Sequence, residues 1–167
     1  MYKLLLIPHK KISQKKLNEI IEIKTISWPY SPSEQLAWIN SNIKENDIHV
    51  LLEQNDILVG YLNLIEINLI INGILEFGCG IGNVCSKEKG KGWGKELMER
   101  TNNFLSKNRK TGLLFCKKNL VRFYSQYNWR TLDKSILRVC FETEAIEVMI
   151  YSFYNDINNI EYQGYIF

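Results

Sequence analysis

The chain has 167 residues, 46% of them hydrophobic, with 21 Lys and Arg against 18 Asp and Glu. That is the length of one domain able to bury a core without disulfides or metals, and the 12% aromatic content excludes a mainly disordered polymer. Three Pro and ten Gly exclude collagen-like and Pro-rich classes.

Residues 2–7 alternate weakly and predict a first strand. From Lys15 to Thr25, Leu17, Ile20 and Ile21 share one helical face. Trp28-Pro29-Tyr30 ends that helix. Ser31-Pro32-Ser33-Glu34 starts a second: Ser31 caps, Pro32 suits the first turn and Glu34 completes a capping box. Leu36, Ile39 and Ile43 give it a buried stripe. Ile48 to Glu53 and Ile57 to Ile67 are β-rich runs parted by the turn signal Gln54-Asn55-Asp56, which predicts a hairpin. Asn72-Gly73 predicts another, leading into a long strand from Ile74 to Cys85. Gly78, Gly80 and Gly82 alternate in that strand and bare one face, either to a ligand or another backbone, or within a bulged, twisted strand that binds nothing.

A helix is predicted from Gly92 to Lys107, with Leu97, Thr101, Phe104 and Leu105 on one side. Gly112 to Cys116 reads as a short buried strand. Asn119 is expected to cap a helix reaching Tyr127, with Leu120, Phe123 and Tyr127 inward. Leu132 to Phe141 and Ala145 to Phe153 read as closing strands, and the aromatic tail 154–167 has no assignment. No repeat or linker interrupts the chain, so residues 1–167 are expected to form one domain. The order β-α-α-β-β-β-α-β-α-β-β is an α+β, or mixed α/β, layout with a largely antiparallel first half.

Charge is segregated. Residues 87–130 carry twelve Lys and Arg against three Glu, while both flanking segments are net acidic. A basic middle third points to nucleic acid, to a small phosphorylated cofactor, or to a solvated helix face without a partner. Nucleic acid predicts exposed aromatics among those lysines. Trp93, Phe104 and Phe123 fall instead at core-like spacings, so no nucleic-acid partner is expected. Cys79, Cys85, Cys116 and Cys140 lie in apolar stretches without C-x-x-C spacing and are expected to be buried free thiols. Only His9 and His49 are available to complete a metal site, and none is expected. No apolar run approaches the roughly 18 residues of a membrane span. Leu4-Leu5-Leu6-Ile7, followed by Lys10 and Lys11, is too short for a signal-peptide core, so the expected location is the cytoplasm.

The most specific segment is Lys89-Gly90-Lys91-Gly92-Trp93-Gly94-Lys95, between a long strand and a helix. Unpaired N–H groups and the positive end of the helix dipole meet there, glycines let a phosphate approach, and the lysines add full charges. The segment reads as a diphosphate cradle. It is not a Walker loop, because Glu96 follows Gly94-Lys95 and supplies no hydroxyl for magnesium. It is not a dinucleotide fingerprint either, since the spacing is G-x-G-x-G and the preceding strands form hairpins.

The spacing resembles motif A of the GNAT superfamily of N-acetyltransferases, [QR]-x-x-G-x-[GA], with Lys89 where Gln or Arg is usual. A second stretch, Asn119-Leu120-Val121-Arg122-Phe123-Tyr124-Ser125-Gln126-Tyr127-Asn128-Trp129, resembles the family's motif B, with Asn128-Trp129 in place of Gly-Phe, since Asn128 also tolerates a left-handed helix end. The resemblance is sharp over residues 75–130, the expected cofactor-binding core, and topological elsewhere. It implies a GNAT-like fold: a mostly antiparallel twisted sheet of six or seven strands flanked by four helices. It implies acetyl-CoA as cosubstrate, with the backbone of Asn83, Val84 and Cys85 along its pantetheine arm. The amides of Gly90, Lys91, Gly92, Trp93, Gly94 and Lys95 would take the diphosphate, with Lys89 beside them, and Asn119 would touch the arm. Tyr124 would sit near the thioester sulfur.

An alkyl amine of pKa about 10.4 is neutral in only about 1 molecule in 2500 at pH 7, so transfer to an amine needs a base or a desolvating site. Glu76, early on the long strand, is the candidate base; Glu66 and a water relay are alternatives. A backbone N–H near Asn83 or Val84 is a candidate oxyanion donor. Tyr124, a phenol, is the candidate donor to the departing thiolate. Trp28, Pro29 and Tyr30 form either one wall of the acceptor site or a plug between the first two helices. Asp133, Glu142, Glu144 and Glu147 would attract a cationic amine, and the Tyr124-to-Trp129 spacing resembles aminoglycoside 2′-N-acetyltransferases. The expected function is transfer of acetyl to a primary amine of a small molecule or peptide, by direct attack in a ternary complex. The alternatives are a non-catalytic acyl-CoA-binding sensor on the same fold and an aminoglycoside-type N-acetyltransferase. The sequence leaves a homodimer open and does not name the acceptor.

Overall fold

The computed structural model describes residues 1–167. Strand β1 (Tyr2–Pro8) leads to helices α1 (Gln14–Ser27) and α2 (Pro32–Asn42). Strands β2 (Ile48–Gln54), β3 (Ile57–Ile71) and β4 (Ile74–Ser86) follow, then α3 (Trp93–Lys107) and β5 (Gly112–Cys116). Helix α4 (Val121–Ser125) and strands β6 (Arg130–Thr131), β7 (Leu137–Val139), β8 (Glu147–Tyr151) and β9 (Ile160–Tyr162) complete the chain. The hydrogen-bonded strand order is β1-β2-β3-β4-β5-β8-β6, with β9 on β3 and β7 on β9. Pairing is antiparallel for β1–β2, β2–β3, β5–β8 and β6–β8, and parallel for β4–β5 and β7–β9. This is the α+β architecture expected from the sequence, with four α-helices on a mostly antiparallel sheet.

Residue contacts divide the chain into two compact units, Met1–Ile65 with Gly82–Thr101, and Glu66–Ile81 with Asn102–Phe167. In the first unit, Ser31 takes the Glu34 amide on its side chain while the Glu34 carboxylate takes the Ser31 amide, so the expected capping box closes. Leu17, Ile20, Ile21 and Ile23 of α1 and Ile39 of α2 cover Leu51, Tyr61 and Cys85 on the sheet. Trp28 packs against that same core while Tyr30 is exposed, so Trp28 acts as the plug.

In the second unit, Trp129 is buried, donates Nε1 to Asn102 Oδ1 at 3.0 Å and crowds Gly112, where a Cβ would lie 2.5 Å from the ring. Asn128 takes a φ of 63°, the left-handed helix end expected of it. The alternating glycines of β4 are met by protein. A Cβ at Gly78 would lie 2.8 Å from the Thr111 carbonyl, and one at Gly80 would meet the Phe167 ring.

Several expectations fail locally. Asn119 lies inside a 3-10 turn, Lys118–Leu120, and caps nothing; α4 spans only five residues, and Leu120 is exposed. The helix stops early because Tyr127 and Asn128 close i−3 turns onto Tyr124 and Ser125 before the left-handed Asn128. The strand expected over 132–141 is broken at Asp133, whose carboxylate takes the Ser135 amide at 2.8 Å and forces a turn, leaving only β7. Residues 145–153 narrow to β8, and the unassigned tail supplies β9. Cys140 is exposed, unlike the other three free thiols.

Candidate active site

In the first unit, β4 ends at Ser86 and α3 begins at Trp93, with a turn between them. Gly90 and Gly92 adopt φ of 77° and 78°, and a Cβ at either would meet nothing within 4 Å. The backbone is therefore bare and open on the side where side chains would stand. The first α3 bond runs from the Glu96 amide to the Gly92 carbonyl at 3.1 Å, so the amides of Trp93, Gly94 and Lys95 precede the helical ladder. The loop is pinned at both ends, by the Lys87 amide on the Val59 carbonyl at 3.0 Å and by Trp93 Nε1 on Gln54 Oε1 at 2.9 Å. Lys89, Lys91 and Lys95 are exposed; Lys91 pairs with Glu88 at 3.7 Å and Lys95 with Glu99 at 3.9 Å. Such surface pairs stabilise by at most about 1 kcal/mol, leaving the lysines available to an anion. Open glycines, unladdered amides and exposed cations fit a diphosphate.

Upstream of the loop, Asn83 breaks the strand's regularity with a φ of 54°. Asparagine tolerates this region better than most residues. Its side chain is fixed by donation of Nδ2 to Asn63 Oδ1 on β3, at 2.6 Å. Asn63 is fully buried, and its own Nδ2 has no partner. Leaving a buried donor unpaired costs about 1–3 kcal/mol. Val84 is half-buried and Cys85 buried, its thiol pushed up to about 12 by burial.

Behind this stretch lies a polar cluster whose hydrogen-bonded pairs are 12 and 40 residues apart in the chain. His9 Nδ1 and His49 Nε2 stand 2.9 Å apart, and His49 Nδ1 stands 2.8 Å from Tyr61 Oη. Lys24 is 2% exposed, with Nζ 4.1 Å from the centre of the Trp38 ring, and burial lowers its pKa to about 8. Burial, helped by His9 and Lys24, lowers His49 to about 4. A histidine kept neutral in this way stabilises the fold above its unfolded pKa of about 6.5, and the contribution is lost as pH falls toward 4. At about 1.4 kcal/mol per pKa unit, the loss is on the order of 3 kcal/mol. Urea titrations at pH 7 and 4.5 should show it, and His49→Gln should flatten the difference. An unchanged pH dependence in the variant would assign it to other groups.

The remaining sequence-derived candidates belong to the second unit. Glu76 is half-buried on β4, and its carboxylate accepts the Tyr154 hydroxyl at 2.5 Å. That hydrogen bond raises the Tyr154 pKa. Arg130 holds the carbonyls of Tyr154 and Asn155 at 2.7 and 3.1 Å, which fixes the loop carrying the phenol. Tyr124 is buried in α4, with its ring 5.0 Å from that of Phe123. Asn119 and Glu66 are exposed. Asp133 is committed to its own turn, and the Ser135 amide lowers its pKa.

The model of the acetyltransferase (GNAT) domain family matches residues 9–132. No curated protein matches the sequence. Among solved structures, ElaA from Escherichia coli superposes with a TM-score of 0.64 at 19% identity, over 90% of this chain and 99% of that one. An acyl-CoA N-acyltransferase from Pseudomonas aeruginosa gives 0.65 at 18% identity, over 91% and 100%. The N-acetyltransferase PseH from Campylobacter jejuni gives 0.59 at 16%, over 90% and 99%. At these identities the superpositions speak to the fold.

Proposed function

The chain belongs to the GNAT family of acetyltransferases, and from that premise we propose that it moves an acetyl group from acetyl-CoA to a primary amine of a small molecule or peptide, by direct attack in a ternary complex. The observation that carries this reading is the bare, pinned, cationic turn at Lys89–Lys95. It supports a diphosphate held by the amides of Gly90 to Lys95, with Lys89 as a flanking charge. The pantetheine arm then follows the backbone of Asn83, Val84 and Cys85, with Asn119 as a further contact. Four thiols outside any disulfide suit work in the cytoplasm.

Acetyl-CoA supplies the activated acyl group. The rest falls to the chain. Freeing a lysine-like amine of its proton at pH 7 costs roughly 4–5 kcal/mol, and Glu76 is assigned that proton. The Tyr154 hydroxyl orients the Glu76 carboxylate. Negative charge on the thioester oxygen is met by a backbone N–H at Asn83 or Val84, in the segment that the left-handed Asn83 turns out of regular pairing. Tyr124 protonates the departing thiolate.

The test is thiol release from acetyl-CoA with a panel of polyamines, aminoglycosides, amino sugars and peptide amines. Turnover with one class supports an enzyme and names its acceptor. Acyl-CoA binding without turnover across the panel would favour a sensor built on this fold.

A further inference from the structure

The buried amide of Asn63 is one hydrogen bond short. Asn63 Oδ1 is used by Asn83, while Nδ2 is fully enclosed and unpartnered. His49, directly opposite Asn63 in the β2–β3 register, has both ring nitrogens engaged, with His9 and with Tyr61. Buried donors in folded proteins are nearly always paired, so the orphan calls for a partner or a role. The orphan belongs to the side chain that fixes Asn83, the one residue of β4 in left-handed backbone geometry. Strain that is held in place rather than relieved is a feature of functional sites.

We propose that Asn63 Nδ2 donates a hydrogen bond to the thioester carbonyl oxygen of bound acyl-CoA, making Asn63 an oxyanion donor beside the backbone N–H of Asn83 or Val84. The assignment rests on the acyl-CoA reading above. It adds a side-chain donor from β3 to a site otherwise built from β4 backbone. A neutral amide suits the task, because it donates without ionising near neutral pH and its orientation is set by the Oδ1 bond to Asn83. No bond forms or breaks at Asn63. Its contact strengthens as negative charge builds on the oxygen, so it favours the transition state over the bound thioester.

Isotope-edited infrared spectroscopy of acetyl-CoA carrying ¹³C at the carbonyl reads this contact without any acceptor amine. The carbonyl stretch should fall on binding to the native protein and return toward the free value in Asn63→Ala. The variant should lose at least fivefold in its preference for acetyl-CoA over CoA, a ratio that cancels any change in CoA affinity caused by releasing Asn83. If Asn63→Ala does not fold, the native protein still decides: the side-chain amide resonances of Asn63 should differ between the CoA and acetyl-CoA complexes. An unmoved carbonyl stretch, or identical Asn63 resonances in the two complexes, overturns the proposal while leaving acyl-CoA binding intact. Absence of acetyl-CoA binding altogether overturns the acyl-CoA reading, and the Asn63 assignment with it.

Discussion

Gly92→Val is expected to weaken acetyl-CoA binding by about 100-fold, equivalent to roughly 2.7 kcal/mol. Two effects add. A φ of 78° is reached by a β-branched residue only with backbone strain, which distorts the loop. The new side chain also projects into the open space through which a diphosphate would approach the amides of residues 93–95. Gly73, in the β3–β4 turn, separates these effects. It has a φ of 81° and the same empty surroundings, yet lies outside the basic loop. Gly73→Val should therefore match Gly92→Val in lost stability by urea titration and keep native affinity by calorimetry. Equal losses of affinity in both variants would mean that the Gly92 effect is strain alone, with no cradle to obstruct.

Tyr124→Phe is expected to lower kcat by at least tenfold with little change in acetyl-CoA affinity, once an acceptor is in hand. The substitution removes one oxygen from a buried ring and leaves its packing against Phe123 in place. A CoA thiolate that departs unprotonated departs more slowly, and the deficit appears in the chemical step rather than in binding. The loss should shrink when the leaving thiolate is made more stable, as with an acyl donor of lower thiol pKa. Full turnover in the variant would take Tyr124 out of the mechanism.

What the sequence made legible was local. The Ser31 and Glu34 capping box, the Asn72-Gly73 turn and the left-handed Asn128 are each fixed by residues within four positions of one another, and each has the expected geometry. The glycine loop belongs to the same class, because its conformation is dictated by residues with no Cβ. What stayed hidden depends on partners far apart in the chain. Asn63 and Asn83 are 20 residues apart, His9 and His49 are 40, and Glu76 and Tyr154 are 78. A histidine within the apolar run Ile48 to Leu52 is itself a signal of a partnered core histidine. Asn63 carried a similar signal, as an amide alternating with Leu62 and Leu64 in a buried strand. The glycines of β4 did announce a close approach, but what comes close to Gly78 and Gly80 is the Thr111 carbonyl and the Phe167 ring. The tail had no readable pattern because its partners are remote: the Asn72 side chain holds residues 156, 158 and 159, and β9 pairs with β3 and β7.

Acetyl transfer by this chain requires that the turn between β4 and α3 grip a coenzyme. Titration calorimetry of the purified protein with CoA and with acetyl-CoA asks this directly. Saturable heat with both, a dissociation constant well below millimolar, and weakening with added salt is the predicted result, since lysines and amides facing a diphosphate make a screened contact. No heat from either compound at millimolar concentration would contradict it.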